Sequence, residues 1–235
     1  GRQRGCRPLF FLPPLRFLQK PLIFALMEAI LEIPVISAAE TLLPGAEEQR
    51  VEGSYDDFTA LLKQCDYPIE YENGNIIIMS IASDEHEKIV ANLLGALFIA
   101  MRGHRHLGRY GSNRHIYIPA LSKAYSPDAS VVKGNPDVFT YAVGKDAYTN
   151  PWLVAEVISP SSRSRDFGEK LHGYKAIPEL QYILYIEQER PFATLFERID
   201  GTSRWRSTDY DALHQSFSIS EFSVAMSDLY ENLKF

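Results

Sequence analysis

Cysteine is almost missing: Cys6 and Cys65 are the two in 235 residues, and they stand in no metal-ligand spacing. That excludes a disulfide framework and a Cys-rich zinc module, and it fits a reducing cytoplasm. Positive charge is also in the minority, with 24 Lys and Arg against 30 Asp and Glu and a net charge of -6. A protein that coats nucleic acid by bulk charge is therefore excluded, and a DNA-directed enzyme of this composition needs a local basic patch and a bound cation. The chain has no internal repeat, no phosphate-binding or dinucleotide glycine motif and no nucleophile elbow. No apolar run approaches a membrane span, so no membrane partner is expected. His104, His106 and His115 lack any zinc-motif spacing and are expected to be solvated or phosphate-contacting.

What the chain does contain is core-forming material. Hydrophobic residues make up 46%, including 13 Tyr and 13 Phe, enough for one sizeable globular domain with tails. The first 26 residues hold five basic side chains and no acid, and Pro13, Pro14 and Pro21 break their apolar part. Such a segment fits a signal peptide poorly. Met27 is the expected natural start, with 1–26 as upstream or expression-derived sequence, 1–50 as a tail outside the core, and 51–235 as the domain.

Local patterns then predict a mixed α/β sheet. Ser54 with Asp57 reads as a capping box opening a short helix. Asn73-Gly74, between Ile69-Glu70-Tyr71-Glu72 and Ile76-Ile77-Ile78, reads as a type I′ hairpin turn. Ser83 caps the clearest helix, whose stripe Ile89, Val90, Leu93, Leu94, Leu97, Phe98 and Met101 should lie on the sheet. Gly108 to Ile118 reads as a strand pair and Gly134 to Asn150 as a loop with at most a short helix. Ser161 to Ala176 reads as a helix carrying Asp166, Lys170 and Tyr174 on one face. Leu180 to Ile186 reads as a buried strand, Phe192–Arg198 as the arm of a hairpin turning at Asp200-Gly201, and Phe222 to Leu233 as a closing helix.

The run Pro151-Trp152-Leu153-Val154-Ala155-Glu156-Val157-Ile158 has the look of a strand buried on both faces. An ionised Glu is rarely buried alone, so Glu156 should be paired with a cation, hydrogen-bonded or bound to a metal. Asp128, in Ser126-Pro127-Asp128-Ala129-Ser130-Val131-Val132, leads into a second β-rich segment. If those strands are neighbours, two hard oxygen donors converge, and these suit Mg²⁺ or Mn²⁺. The plainer reading makes Asp128 a turn acid, Glu156 half of a buried salt bridge and Lys170 the helix partner of Asp166. Repulsion between two apo carboxylates also predicts that Glu156→Gln does not destabilise the metal-free protein.

Taken together, Ile69-Glu70 with Asn73-Gly74, the helix start Asp84-Glu85-His86-Glu87, Ser126-Pro127-Asp128, Glu156-Val157-Ile158-Ser159-Pro160, and then Asp166, Lys170 and Tyr174 resemble the Uma2 family. These are bacterial proteins of the PD-(D/E)XK restriction-endonuclease-like superfamily, and the match runs from about Ser54 to the C-terminus with its motifs in order. The resemblance implies a restriction-endonuclease-like core with a central mixed sheet flanked by helices. It further implies a divalent-metal-dependent DNA endonuclease in which Asp128 and Glu156 hold Mg²⁺ or Mn²⁺ and Glu70 orients a ligand or water. The superfamily lysine position, two residues after the Glu, is Ile158 here, and Lys170 on the following helix stands in for it. Arg109, Arg114, Arg163 and Arg165 are candidates for flanking phosphates. The expected partner is DNA, with a homodimer left open, and the alternative is a catalytically silent nuclease-fold module that binds DNA or protein.

Overall fold

The computed structural model describes residues 48–62, 65, 67–79, 82–142, 145–160, 162–199 and 201–235. Most of the expected tail lies outside them. The chain divides into two compact units, Gly1–Ile81 and Ala82–Phe235.

In the first unit, β1 (Glu48–Glu52) precedes α1 (Tyr55–Leu61), then β2 (Ile69–Glu72) and β3 (Asn75–Met79). The Ser54 hydroxyl accepts the Asp57 N–H while the Asp57 carboxylate accepts the Ser54 N–H at 2.7 Å, so the capping box is closed in both directions. Asn73 and Gly74 have φ of 50° and 77°, the left-handed pair that a two-residue hairpin needs. β3 lies between β1 and β2, both antiparallel to it, and Ile76, Ile77 and Ile78 are fully buried.

The second unit opens with α2 (Asp84–Ala100), capped by the Ser83 hydroxyl, which accepts the His86 N–H. Then follow β4 (Leu107–Gly111), β5 (Ile116–Ile118), a 3-10 turn (Pro119–Leu121), β6 (Lys123–Tyr125), β7 (Ala129–Lys133), β8 (Val138–Ala142), β9 (Lys145–Tyr148) and β10 (Pro151–Ile158). An irregular helix follows: α3 (Arg163–Arg165), a π-helical turn (Asp166–Lys170) and α4 (Leu171–Lys175). The chain closes with β11 (Tyr182–Glu187), β12 (Ala193–Arg198), β13 (Trp205–Tyr210), β14 (Ser216–Ile219), β15 (Phe222–Ala225) and α5 (Met226–Leu229).

The central sheet runs in the order β13-β12-β11-β10-β7-β4. It is mixed because β10 pairs parallel with β11 across the helical crossover, while its other neighbour, β7, is antiparallel. The strands of Asp128 and Glu156 are therefore neighbours, as required for their carboxylates to meet. On one face, Leu153, Ala155 and Val157 pack with Ile89, Leu93 and Leu97 of α2 and with Phe217, Phe222 and Met226 from the C-terminal segment. On the other, Val154, Ile158, Ile183 and Tyr185 pack with Ile116 and Ile118 of β5, Tyr125 of β6 and Tyr174 of α4.

Three local expectations are corrected. β4 and β5 do not pair with each other: β4 joins β7 in the central sheet, whereas β5 joins β6 and β9. The polar turn between them carries the chain from one layer to the next, which strand periodicity alone cannot reveal. The stretch read as a loop is an antiparallel hairpin, β8 with β9, in which Phe139 stacks on Tyr117. The expected closing helix is first a strand, β15 paired with β14, and only then a single helical turn. Gly201 has φ of 66° in the β12–β13 connection, and its neighbour Asp200 lies outside the described residues.

Candidate active site

Alternation along β10 decides where Glu156 goes. Val154 and Ile158, its neighbours two residues away, belong to the tyrosine-lined core, so Glu156 projects into that layer. It is only 4% exposed, as is Lys170. The Lys170 ammonium lies 2.7 Å from Glu156 Oε1, and the Tyr174 hydroxyl donates to the same oxygen at 2.5 Å. Asp166 Oδ1 lies 3.5 Å from the same ammonium. Asp166, Lys170 and Tyr174 do share a face, delivered through a π-turn, a distortion that recurs at functional sites.

A glycine permits this approach. A Cβ on Gly173 would stand 2.7 Å from Tyr125 Cε2 and 3.1 Å from its hydroxyl, so any larger residue would push α4 and the tyrosine apart. Tyr185 is the Cα partner of Glu156 on β11 and shares its face. Its hydroxyl donates to the Asp166 carbonyl at 2.6 Å, locking the π-turn onto the sheet. Burial, reinforced by the Glu156 charge, pushes the Tyr185 pKa far up, so the hydroxyl stays a donor.

Asp128 sits one residue before β7. The register Ala155↔Ala129 brings it level with Glu156 one step further along. Its Oδ2 accepts the Val157 N–H at 2.7 Å, and its Oδ1 lies 3.1 Å from His86 Nε2 at the start of α2. Burial by itself lowers the His86 pKa, but the hydrogen bond and charge of Asp128, helped by Glu87 and Asp166, outweigh it and raise the value overall. The influence of Asp166 on His86 ties this strand-end pair electrostatically to the buried cluster.

The structure thus joins Glu156 to Lys170 directly and brings Asp128 to the same end of β10. Glu70 lies in the first unit, fully buried on β2 opposite Ile77. Tyr174, expected only to share a helix face with Asp166 and Lys170, donates its hydroxyl to Glu156. Tyr185 went unnoticed. The two tyrosines in the otherwise aliphatic run of β11, Tyr182 and Tyr185, were the available signal, because a buried Tyr needs a partner. The plainer reading of Asp166 with Lys170 also holds, but as one side of a larger network. Of the arginines, Arg163 pairs with Glu187 and Arg165 is buried.

The donor set fits a hard cation. Asp128 and Glu156 supply carboxylate oxygens at adjoining strand ends, and Mg²⁺ is commonly bound through one or two protein carboxylates. Among the described residues, no group of three or more His, Cys, Asp or Glu is gathered around a point that could hold a metal ion, so Asp128 and Glu156 would be the protein's two carboxylates to such a cation. No described helix is long and apolar enough to cross a membrane.

Comparison with known proteins identifies relatives of the fold. The profile of the Uma2 family, described as "Putative restriction endonuclease", matches residues 55–227. An uncharacterized protein of Synechocystis sp. is 29% identical over 140 residues, covering 60% of this chain and 77% of its own. The crystal structure of a "putative nuclease belonging to DUF820" from Anabaena variabilis superposes with a TM-score of 0.57 at 16% identity. It covers 73% of this chain and 96% of that one. At that identity the likeness speaks for the fold, a nuclease-like mixed α/β core.

Proposed function

The chain belongs to the Uma2 family, and from that premise we propose that it is an endonuclease hydrolysing DNA phosphodiesters with Mg²⁺ or Mn²⁺ held by Asp128 and Glu156. The observation that carries this reading is the buried Glu156–Lys170–Tyr174 cluster beside Asp128 at the end of β10. A divalent ion bound there would supply Lewis-acid stabilisation of phosphoryl charge and lower the pKa of a bound water. The protein's part is orientation and charge. The Val157 N–H fixes one oxygen of Asp128, and His86 faces the other. Tyr174 fixes the rotamer of Glu156. The Lys170 ammonium would offset negative charge accumulating at the scissile phosphate, having reached that space from the helix because Ile158 fills the usual lysine position.

A second reading, a silent nuclease-fold module that binds DNA or protein, is favoured by one observation. Lys170 and Glu156 are buried and neutralise each other, so neither presents a free charge to solvent. One experiment separates the two readings. Plasmid nicking in Mg²⁺ or Mn²⁺ is measured for the parent, Asp128→Asn and Glu156→Gln, alongside Mn²⁺ titration by calorimetry. The endonuclease reading expects cleavage by the parent, loss of roughly a hundredfold or more in each variant, and loss of Mn²⁺ binding. An Asp128→Asn protein that binds Mn²⁺ as the parent does removes the shared site. A parent that never cuts DNA leaves the module.

A further inference from the structure

Residues 102–115 hold four Arg and three His, half of the chain's histidines, without a single acid, in a chain of net charge -6. The fold lays this segment out as a strip. Arg102, Arg105 and His106 are exposed on the turn after α2, which is held in shape by Gly103 at φ 88° and by backbone bonds from His104 to Met101 and from Leu107 to His104. β4 continues it as the edge strand of the central sheet. Leu107 lies opposite Lys133 and Gly111 opposite Ala129, so the strip runs from Lys133 at one end to Asp128 at the other. At about 3.4 Å per residue, β4 covers roughly 13 Å, the rise of about four base pairs.

The charges along it are largely unspent. Arg102 and Arg105 make no ion pair among the described residues. Arg109 donates to the Met101 carbonyl and lies over the Phe98 ring, and Arg114 donates to the Asp146 carbonyl and lies over Tyr148. Carbonyls and rings orient these guanidinium groups without neutralising them. Glu221 lies near His104 and Lys133, and the Ser220 hydroxyl, helped by those two, keeps its carboxyl below the usual range.

We propose that the Arg102–Arg109 strip along β4 is the surface on which duplex DNA lies, its phosphates contacted by Arg102, Arg105 and His106 as the duplex is led toward Asp128. The inference rests on the nuclease reading above and names the track that the acidic average otherwise denies. Duplex is favoured over single strand because the exposed turn that leads the strip, residues 102–106, contains no Phe, Tyr or Trp to stack an unpaired base, and the Phe98 ring beside it faces the Arg109 guanidinium. Phosphate contacts position without reading sequence.

The test measures binding of a labelled 20-base-pair duplex, and of one of its strands, by fluorescence anisotropy in chelator at several salt concentrations. Kinetics of plasmid nicking in Mg²⁺ follow. The proteins are the parent, Arg102→Gln/Arg105→Gln, and Arg204→Gln/Arg206→Gln, which removes the same charge at the start of β13, at the opposite sheet edge. The strip variant is expected to bind duplex roughly tenfold more weakly, with a log–log salt slope shallower by about two, and to raise KM for nicking with kcat unchanged. The β13 variant should follow the parent. Equal weakening of both variants, or tighter binding of the single strand, overturns the proposal. If the parent nicks DNA and the strip variant does so with unchanged KM, the strip is wrong while the nuclease reading stands. If the parent neither binds nor cuts, both fall.

Discussion

The two faces of β10 solve different problems with the same eight residues. One presents Leu153, Ala155 and Val157 to α2, an aliphatic contact that needs only volume and shape. The other presents Val154, Glu156 and Ile158 to a layer where four tyrosine and acidic or basic side chains, Tyr174, Tyr185, Asp166 and Lys170, form one buried network. An apolar face keeps most of its stability when one contact is trimmed. A buried charge network does not, because removing one member strands another without water. That expense falls on one face alone, the face that carries the candidate site.

The largest expected effect comes from breaking the pair on the polar face. Lys170→Met keeps the stem but leaves the Glu156 carboxylate buried without its closest cation, and removing one partner of such a pair costs about 3–5 kcal/mol. For a chain of this size that corresponds to a fall in Tm of roughly ten degrees. Adding Glu156→Gln removes the stranded charge, so the double variant should recover most of the loss in metal-free protein. Calorimetric melts in chelator compare the three. A single variant that melts with the parent would show that the two charges do not depend on each other. The same pairing corrects the expectation that apo Glu156→Gln is harmless: the dominant neighbour of Glu156 is the Lys170 cation, not a repelling carboxylate, so the single Gln variant should also lose stability.

A smaller effect contrasts the two faces through their glycines. Gly95 on α2 has open space where a Cβ would stand, whereas at Gly173 a Cβ meets the Tyr125 ring. Gly95→Ala should gain about 0.5–1 kcal/mol from helix propensity. Gly173→Ala has the same propensity gain but forces Tyr125 or α4 to move, an overpacking cost of about 1–3 kcal/mol. Urea unfolding measures both. Equal gains would mean that the approach of α4 to β6 is loose and that Gly173 does not set the position of Lys170.

Much of this architecture was legible in the sequence because it rests on local chemistry. The Ser54–Asp57 box, the Asn73-Gly74 turn, the Ser83 cap and most of the apolar stripe of α2 each follow from a few adjacent residues; Phe98, expected on that stripe, is instead exposed. Glu156 stood out because a carboxylate inside an aliphatic run demands a partner, Asp128 because it leads into a second β-rich segment, and the resemblance added the role of Lys170. What stayed hidden depends on long-range pairing. No spacing rule relates Tyr185 to Glu156, since their adjacency is created by a parallel register across the crossover. Nor does alternation tell β4 and β5 which sheet to join. The last segment misled because Val224, Met226 and Leu229 are buried in both a strand and a helix reading.

The smallest effect tests whether the strand-end pair is separate from the buried cluster or an extension of it. In chelated protein, NMR titration of His86 should give a pKa above the ordinary 6.5, because the hydrogen bond and charge of Asp128 outweigh the burial that lowers it. A folded pKa raised above the unfolded one stabilises the protein fully below the unfolded value. That contribution fades as pH rises through the folded pKa. Apo protein should therefore lose a little stability on passing from acid to mildly alkaline pH, through His86. Asp128→Asn removes the largest raising influence but leaves the burial, so the His86 pKa should fall and the slope contributed by His86 should flatten, with Glu87 and Asp166 left to oppose the burial. Asp166→Asn, which removes only the more distant charge, should lower the pKa by less. If Asp166→Asn moves His86 as far as Asp128→Asn does, the strand-end pair and the buried cluster titrate as one unit. The division between an accessible Asp128–His86 pair and a sealed Glu156–Lys170 pair would then have to be abandoned.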